Sequence, residues 1–159
     1  MTDIVEQLVE KIPTKEQIER LQVEASKMPQ AEGMVTEHYF SNGMYSRKLF
    51  RKAGTLIVGK VHKHDHLFIC AMGEIIAWTE NGMKKLGPGD IIESKAGTKR
   101  VTLATVDSIG ITVHKTDKTD LDEIESEMIE PDENALFDSS NNLKQIVLES
   151  QNIMALKGN

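Results

Sequence analysis

Residues 67–90 read LFICAMGEIIAWTENGMKKLGPGD. Three short β-rich runs, 67–72, 74–79 and 83–86, are separated by Met72-Gly73 and Asn81-Gly82, and Gly87-Pro88-Gly89-Asp90 closes the stretch. None of these runs has the length of an ordinary helix, and each is bounded by residues that favour turns. Asn-Gly between two such runs is the strongest short hairpin signal, because a type I′ turn needs positive φ at both central residues. The same punctuation extends outward through Asn42-Gly43, Ala53-Gly54 and Ala96-Gly97. Between these signals lie further β-rich runs at 44–50, 55–61, 90–94, 100–103 and 108–114. Turns about 8–12 residues apart are the mark of an all-β sandwich or barrel, so residues 35–115 are expected to be mainly β and antiparallel.

The flanks have a different texture. Ile4, Val5, Leu8 and Val9 lie at helical spacing up to Pro13. Thr14 and Gln17 form a capping-box pair ahead of Ile18, Leu21 and Ala25, which predicts a second helix ending at Met28-Pro29. After the β region, Thr119 with Asp122 is expected to cap a helix reaching Ile129, ended by Pro131. From Asn141 to Leu156, Leu143, Ile146, Val147, Ile153, Met154 and Leu156 make an apolar helical stripe. It would pack on the barrel or on a second subunit, so a homo-oligomer is expected. The organisation is an N-terminal helical extension (1–34), a barrel (35–115) and an acidic C-terminal helical extension (116–159).

The 159 residues carry a net charge of −6, unevenly spread. Lys and Arg number 4 against 7 acidic residues in 1–34, 12 against 7 in 35–115 and 3 against 11 in 116–159, giving −3, +5 and −8. All five histidines lie in the basic middle piece. A basic barrel between acidic flanks is a poor footprint for duplex DNA but suits a small anion in a pocket. No stretch approaches the roughly 20 apolar residues of a membrane-spanning helix. The single cysteine, Cys70, excludes an intrachain disulfide and reads as a buried thiol. With no charged-then-apolar leader, a cytoplasmic protein is expected.

The chemistry concentrates in Lys60-Val61-His62-Lys63-His64-Asp65-His66. Side chains alternate along a strand, so His62, His64 and His66 would share a face, the outer two about 13 Å apart if the strand is straight. A bend or bulge at Lys63–Asp65 would close them on one divalent ion such as Fe, Mn, Ni or Zn. The plainer reading is a polar wall. Arg47, Lys60, Lys99 and Arg100 could instead hold a phosphate or carboxylate by charge-assisted hydrogen bonds, with the histidines as donors. Neighbouring Lys99 and Arg100 cannot both face inward, and Arg100 is the expected one. Tyr45 and Trp78 could stack on a ligand, with core packing as the plainer role.

A histidine cluster, Gly73-Glu74, a hairpin, Leu86-Gly87-Pro88-Gly89-Asp90 and Lys95-Ala96-Gly97-Thr98-Lys99-Arg100 resemble, in that order, the two motifs of the cupin superfamily. The resemblance covers about half the chain and implies a jelly-roll barrel. It assigns His62 and His64 to the family's His-x-His and puts His66 near the slot usually held by Glu. Lys99 or Arg100 stands where the last metal histidine would be. The chain also resembles small cupin-like proteins of tailed bacteriophages. The resulting expectation is a viral binding protein that holds a small anionic or nucleotide-like ligand and sequesters it from a host pathway. A metal-dependent isomerase or oxygenase and a virion component are the alternatives.

Overall fold

The computed structural model describes residues 14–79 and 81–142; the helix expected at 4–9 and the stripe at 143–156 lie outside them. Among the described residues nine strands form two antiparallel sheets. They are β1 (Val35–Ser41), β2 (Met44–Arg51), β3 (Leu56–Val58), β4 (His66–Met72), β5 (Ile75–Thr79), β6 (Gly82–Leu86), β7 (Ile91–Ser94), β8 (Val101–Ala104) and β9 (Ser108–Lys115). One sheet runs β1-β2-β9-β4-β7, the other β3-β8-β5-β6. The expected hairpin joins β5 to β6, but Thr79 pairs with Gly82, so Gly82 belongs to the strand at φ +102°.

Two departures shape the site. β3 is shorter than the run at 55–61, because the chain leaves the sheet after Val58; Gly59 N still donates to Arg100 O at 2.8 Å. Residues 61–63 then pair outside the sheets, Lys63 N donating to Met128 O at 2.7 Å while Glu130 N donates to Val61 O at 3.0 Å. β1 adds a seven-residue edge strand that was not among the expected runs, pairing along its whole length with β2 from Val35↔Phe50 to Ser41↔Met44.

Helix α1 (Lys15–Ser26) starts with the expected reciprocal cap: Gln17 N donates to Thr14 Oγ1 at 3.2 Å and Thr14 N to Gln17 Oε1 at 2.8 Å. Its Ile18 and Leu21 pack with Val58, Trp78 and Val101 on the four-stranded sheet. Between the sheets, Phe68, Cys70, Ile75, Ala77, Leu86 and Ile92 form a second core. Gly73 turns the chain between β4 and β5 at φ +81°, where an added Cβ would lie 2.3 Å from Asp107 O.

Helix α2 (Leu121–Met128) is capped by Asp120, not Thr119: Asp120 Oδ1 accepts from Asp122 N and Glu123 N at 3.1 and 3.0 Å. An ionised carboxylate is the stronger acceptor here and also suits the positive end of the helix. Ile124 and Met128 of α2 pack on Tyr45, setting the helix over one end of the barrel. Among the described residues no helix is long and apolar enough to cross a membrane.

Candidate metal and anion site

Beside the core of Phe68, Cys70, Ile75, Ala77, Leu86 and Ile92 the barrel holds a cavity of about 150 Å³ roofed by α2 and residues 137–141. The strand registers place its wall. On β2 the inward positions are Tyr45, Arg47, Leu49 and Arg51, which pair with His114, Thr112, Gly110 and Ser108 of β9. Across β9, Phe68 of β4 pairs with Thr112, and His66 pairs with Ser94 of β7. Gly110 leaves room for the Phe68 ring, whose nearest atom would be 2.9 Å from an added Cβ. Phe68 therefore closes the floor between core and cavity.

The bend expected after His62 is present at Lys63 and His64. Asp65 fixes it by accepting from Ala96 N at 2.8 Å, and His62 O accepts from Gly97 N at 2.8 Å. The bend brings the rings of His62 and His66 to 4.1 Å between centroids, with His114 at 5.4 Å from His62 and 4.7 Å from His66. One ligand nitrogen from each of the three lies within 4.8 Å of the others. His64 does not join them. It occupies the outside of the corner and is exposed, so the expected His62, His64 and His66 set is corrected to His62, His66 and His114.

These donors fit a first-row transition ion, for which imidazole is a common ligand and bonds near 2.1 Å require only a modest approach of the rings. They are also held neutral, as coordination requires. Burial lowers the pKa of His62 to about 3, helped by His66 and Arg47 and opposed by a backbone hydrogen bond at Lys60. Burial, then His66, His62 and Arg47, lowers that of His114 to about 2. His66 is lowered by burial as well.

Cations line the cavity that holds the triad. Arg47 and Arg51 point into the cavity from β2, and Arg100 and Lys60 line it. Arg51 is 2% exposed, and its Nη1 donates to Thr102 Oγ1 at 2.7 Å. Burial lowers its pKa to about 10, helped by Arg47. Burial also lowers that of Arg47, against Tyr45 and Glu125. Neither Arg47 nor Arg51 has a carboxylate ion-pair partner among the described residues. The cavity's two acidic side chains are engaged: Glu125 pairs with Lys60, and Asp138 Oδ1 accepts from Ser140 N and Asn142 N at 3.0 and 2.9 Å. Four buried polar atoms on the wall, Ser94 Oγ, Thr112 Oγ1, Arg51 Nε and His66 Nδ1, have no hydrogen-bond partner among the described residues.

The remaining expected residues divide. Tyr45 lines the cavity, stacks on His114 at 5.8 Å and shares a 2.7 Å hydrogen bond with His38 Nδ1. Trp78 lies in the core under α1, since the opposite parity on β5 faces the barrel interior. Lys99 is turned away from the cavity into a pocket where its Nζ meets Asp132 Oδ2 at 3.0 Å, an acceptor shared with Gln22 Nε2 at 3.1 Å. His114, Arg51, Ser94 and Thr112 are wall residues that the sequence reading did not single out.

No protein-family model and no curated protein matches the sequence. Solved structures do match. Salicylate 1,2-dioxygenase from Pseudaminobacter salicylatoxidans aligns at 17% identity and a TM-score of 0.51 over 69% of this chain and 34% of that one. The chain thus spans about a third of that enzyme. A cupin superfamily protein from Desulfitobacterium hafniense aligns at 12% identity and 0.49 over 57% and 84%, and an RmlC-like cupin from Shewanella frigidimarina at 17% and 0.47 over 54% and 80%. The fold is a cupin-type jelly roll with flanking helices.

Proposed function

We propose that this protein binds a small organic or phosphorylated anion inside the barrel. The observation that carries the reading is a pair of guanidinium groups in one cavity, half-buried Arg47 and buried Arg51, neither of which forms an ion pair with a carboxylate among the described residues. A buried charge without a counter-charge costs several kcal/mol, and a bound anion removes that cost. Thr112 Oγ1 and Ser94 Oγ add hydroxyl donors on the same wall. The α2 roof, held by Lys60–Glu125 and by two backbone hydrogen bonds to residues 61–63, suits retention of the anion and so supports sequestration over rapid turnover.

The test is calorimetric titration with acetate, succinate and methylphosphonate. At least one is expected to bind, and Arg47→Gln is expected to weaken it tenfold or more, since a hydrogen bond to a charged group contributes about 1.5–3 kcal/mol. Binding equally strong in Arg47→Gln would remove the cavity as the site.

The three-imidazole cluster supports a second reading, a metal centre on His62, His66 and His114. An ion held there would act as a Lewis acid with positions open to a ligand. Elemental analysis is expected to find metal that is lost in His66→Ala and His114→Ala and retained in His64→Ala. Retention in all three variants would place the metal elsewhere.

A further inference from the structure

We propose that a divalent cation and the anion enter this site as one cooperative unit: the cation binds weakly alone and tightly when the anion is present. The inference rests on the anion and metal readings above, and it concerns how the two are coupled.

The reasoning starts from the ligand set. His62, His66 and His114 are neutral imidazoles, and among the described residues no carboxylate belongs to the cluster. A divalent ion would therefore keep its full charge inside a low-dielectric wall, where charge interactions are far stronger than in water. The fixed charge around it has the same sign. Arg47 acts electrostatically on all three rings and Arg100 on His66, in each case disfavouring added positive charge. Lys60, Arg47, Arg51 and Arg100 make four cations on the wall against Glu125 and Asp138. Glu125 offsets Lys60, one of the four, and Asp138 accepts from backbone N–H groups, so neither acid forms an ion pair with Arg47 or Arg51 among the described residues.

An anion reverses this balance, and the wall has a place for it. Arg47 pairs across the sheet with Thr112, whose hydroxyl is buried without a hydrogen-bond partner among the described residues. That pair is the next inward position below Tyr45↔His114. Inward positions on one strand are about 7 Å apart, so a small carboxylate can lie between the Arg47–Thr112 level and the triad. There it would neutralise Arg47 and face the cation together. Linkage then requires the effect to be mutual: whatever factor the anion adds to cation affinity, the cation adds to anion affinity.

The experiment is calorimetric titration of Mn²⁺ into metal-stripped protein, in buffer alone and with acetate, succinate or methylphosphonate at saturation. Affinity for Mn²⁺ should rise at least tenfold with one or more of the three anions. Arg47→Gln should act in the opposite direction to a simple loss of binding: Mn²⁺ should bind more tightly than to wild type in buffer alone, and the anion effect should shrink. Arg47→Lys, which keeps the charge, should leave Mn²⁺ binding in buffer alone close to wild type. Circular dichroism at each step confirms that the variants are folded. Equal Mn²⁺ affinity with and without every anion overturns the coupling and leaves the metal centre standing. No Mn²⁺ binding to wild type under any condition overturns both, and anion binding measured without metal then decides the first reading by itself.

Discussion

His114 offers a direct measurement of how completely the site is closed to water. The residue is 5% exposed. Its pKa is lowered to about 2 by burial and by His66, His62 and Arg47, from an ordinary value of 6.5. The folded value lies below the unfolded one, so as pH falls the unfolded chain takes up the proton first. Stability is then lost from about pH 6.5 downward, and the loss continues until the folded ring also titrates. Between pH 7 and pH 5 the unfolded ring passes from mostly neutral to almost wholly protonated while the folded ring stays neutral, a loss of about 2 kcal/mol. His62, lowered to about 3, contributes a similar amount over the same window.

Urea unfolding of metal-stripped protein, followed by Trp78 fluorescence at both pH values, isolates this contribution when wild type is compared with His114→Gln. Glutamine takes up no proton, so its effect on packing is common to both pH values and cancels in the double difference. The wild-type stability relative to the variant should fall by about 2 kcal/mol between pH 7 and pH 5. A relative stability that does not change with pH would mean that the ring titrates in the folded protein much as it does in water. The neutral, buried triad would then be wrong.

Three other changes probe the frame around the site. Trp78→Ala should destabilise by about 3–5 kcal/mol in urea unfolding followed by circular dichroism and leave anion affinity unchanged, because the indole packs with Ile18, Leu21, Val58 and Val101 away from the cavity. Asp132→Ala leaves Lys99, whose side chain is 5% exposed, without its acceptor and should cost about 3–5 kcal/mol; a loss below about 1 kcal/mol would show that water reaches the amine. Gly73→Ala combines a φ of +81° with an approach of 2.3 Å to Asp107 O, and the melting temperature should drop by several degrees, whereas an unchanged value would show the β4–β5 turn to be slack.

Much of the frame was legible because turn chemistry is local. Gly43, Gly54, Gly73, Gly82, Gly89 and Gly97 all have positive φ, which is why glycine-centred signals delimited seven of the nine strands to within a residue, β1 and the end of β3 being the exceptions. The α1 cap was equally legible, both halves of the box being three residues apart. The convergence of side chains was less so. His62 and His66 meet because Asp65 reaches Ala96 and His62 O reaches Gly97 N, contacts 31 and 35 residues along the chain that strand periodicity does not contain. The same bend excludes His64.

The omission of His114 and Arg51 has a different physical origin. On β9 the apolar positions are Ile109, Ile111 and Val113, and an ordinary reading of alternation turns them toward the core. The structure turns them outward, half-buried, and points Ser108, Gly110, Thr112 and His114 into the barrel. β2 does the same with Arg47 and Arg51. A polar inner row is unfavourable around a packed core but suits a wall that solvates a charged ligand. Neither strand shows this alone, since inverted alternation on one strand is indistinguishable from a strand facing water. It becomes a signal only when two adjacent strands carry it in register, as they do here: Tyr45 opposite His114, Arg47 opposite Thr112, Arg51 opposite Ser108. The register that makes the cavity is thus the piece of information a strand-by-strand reading lacks.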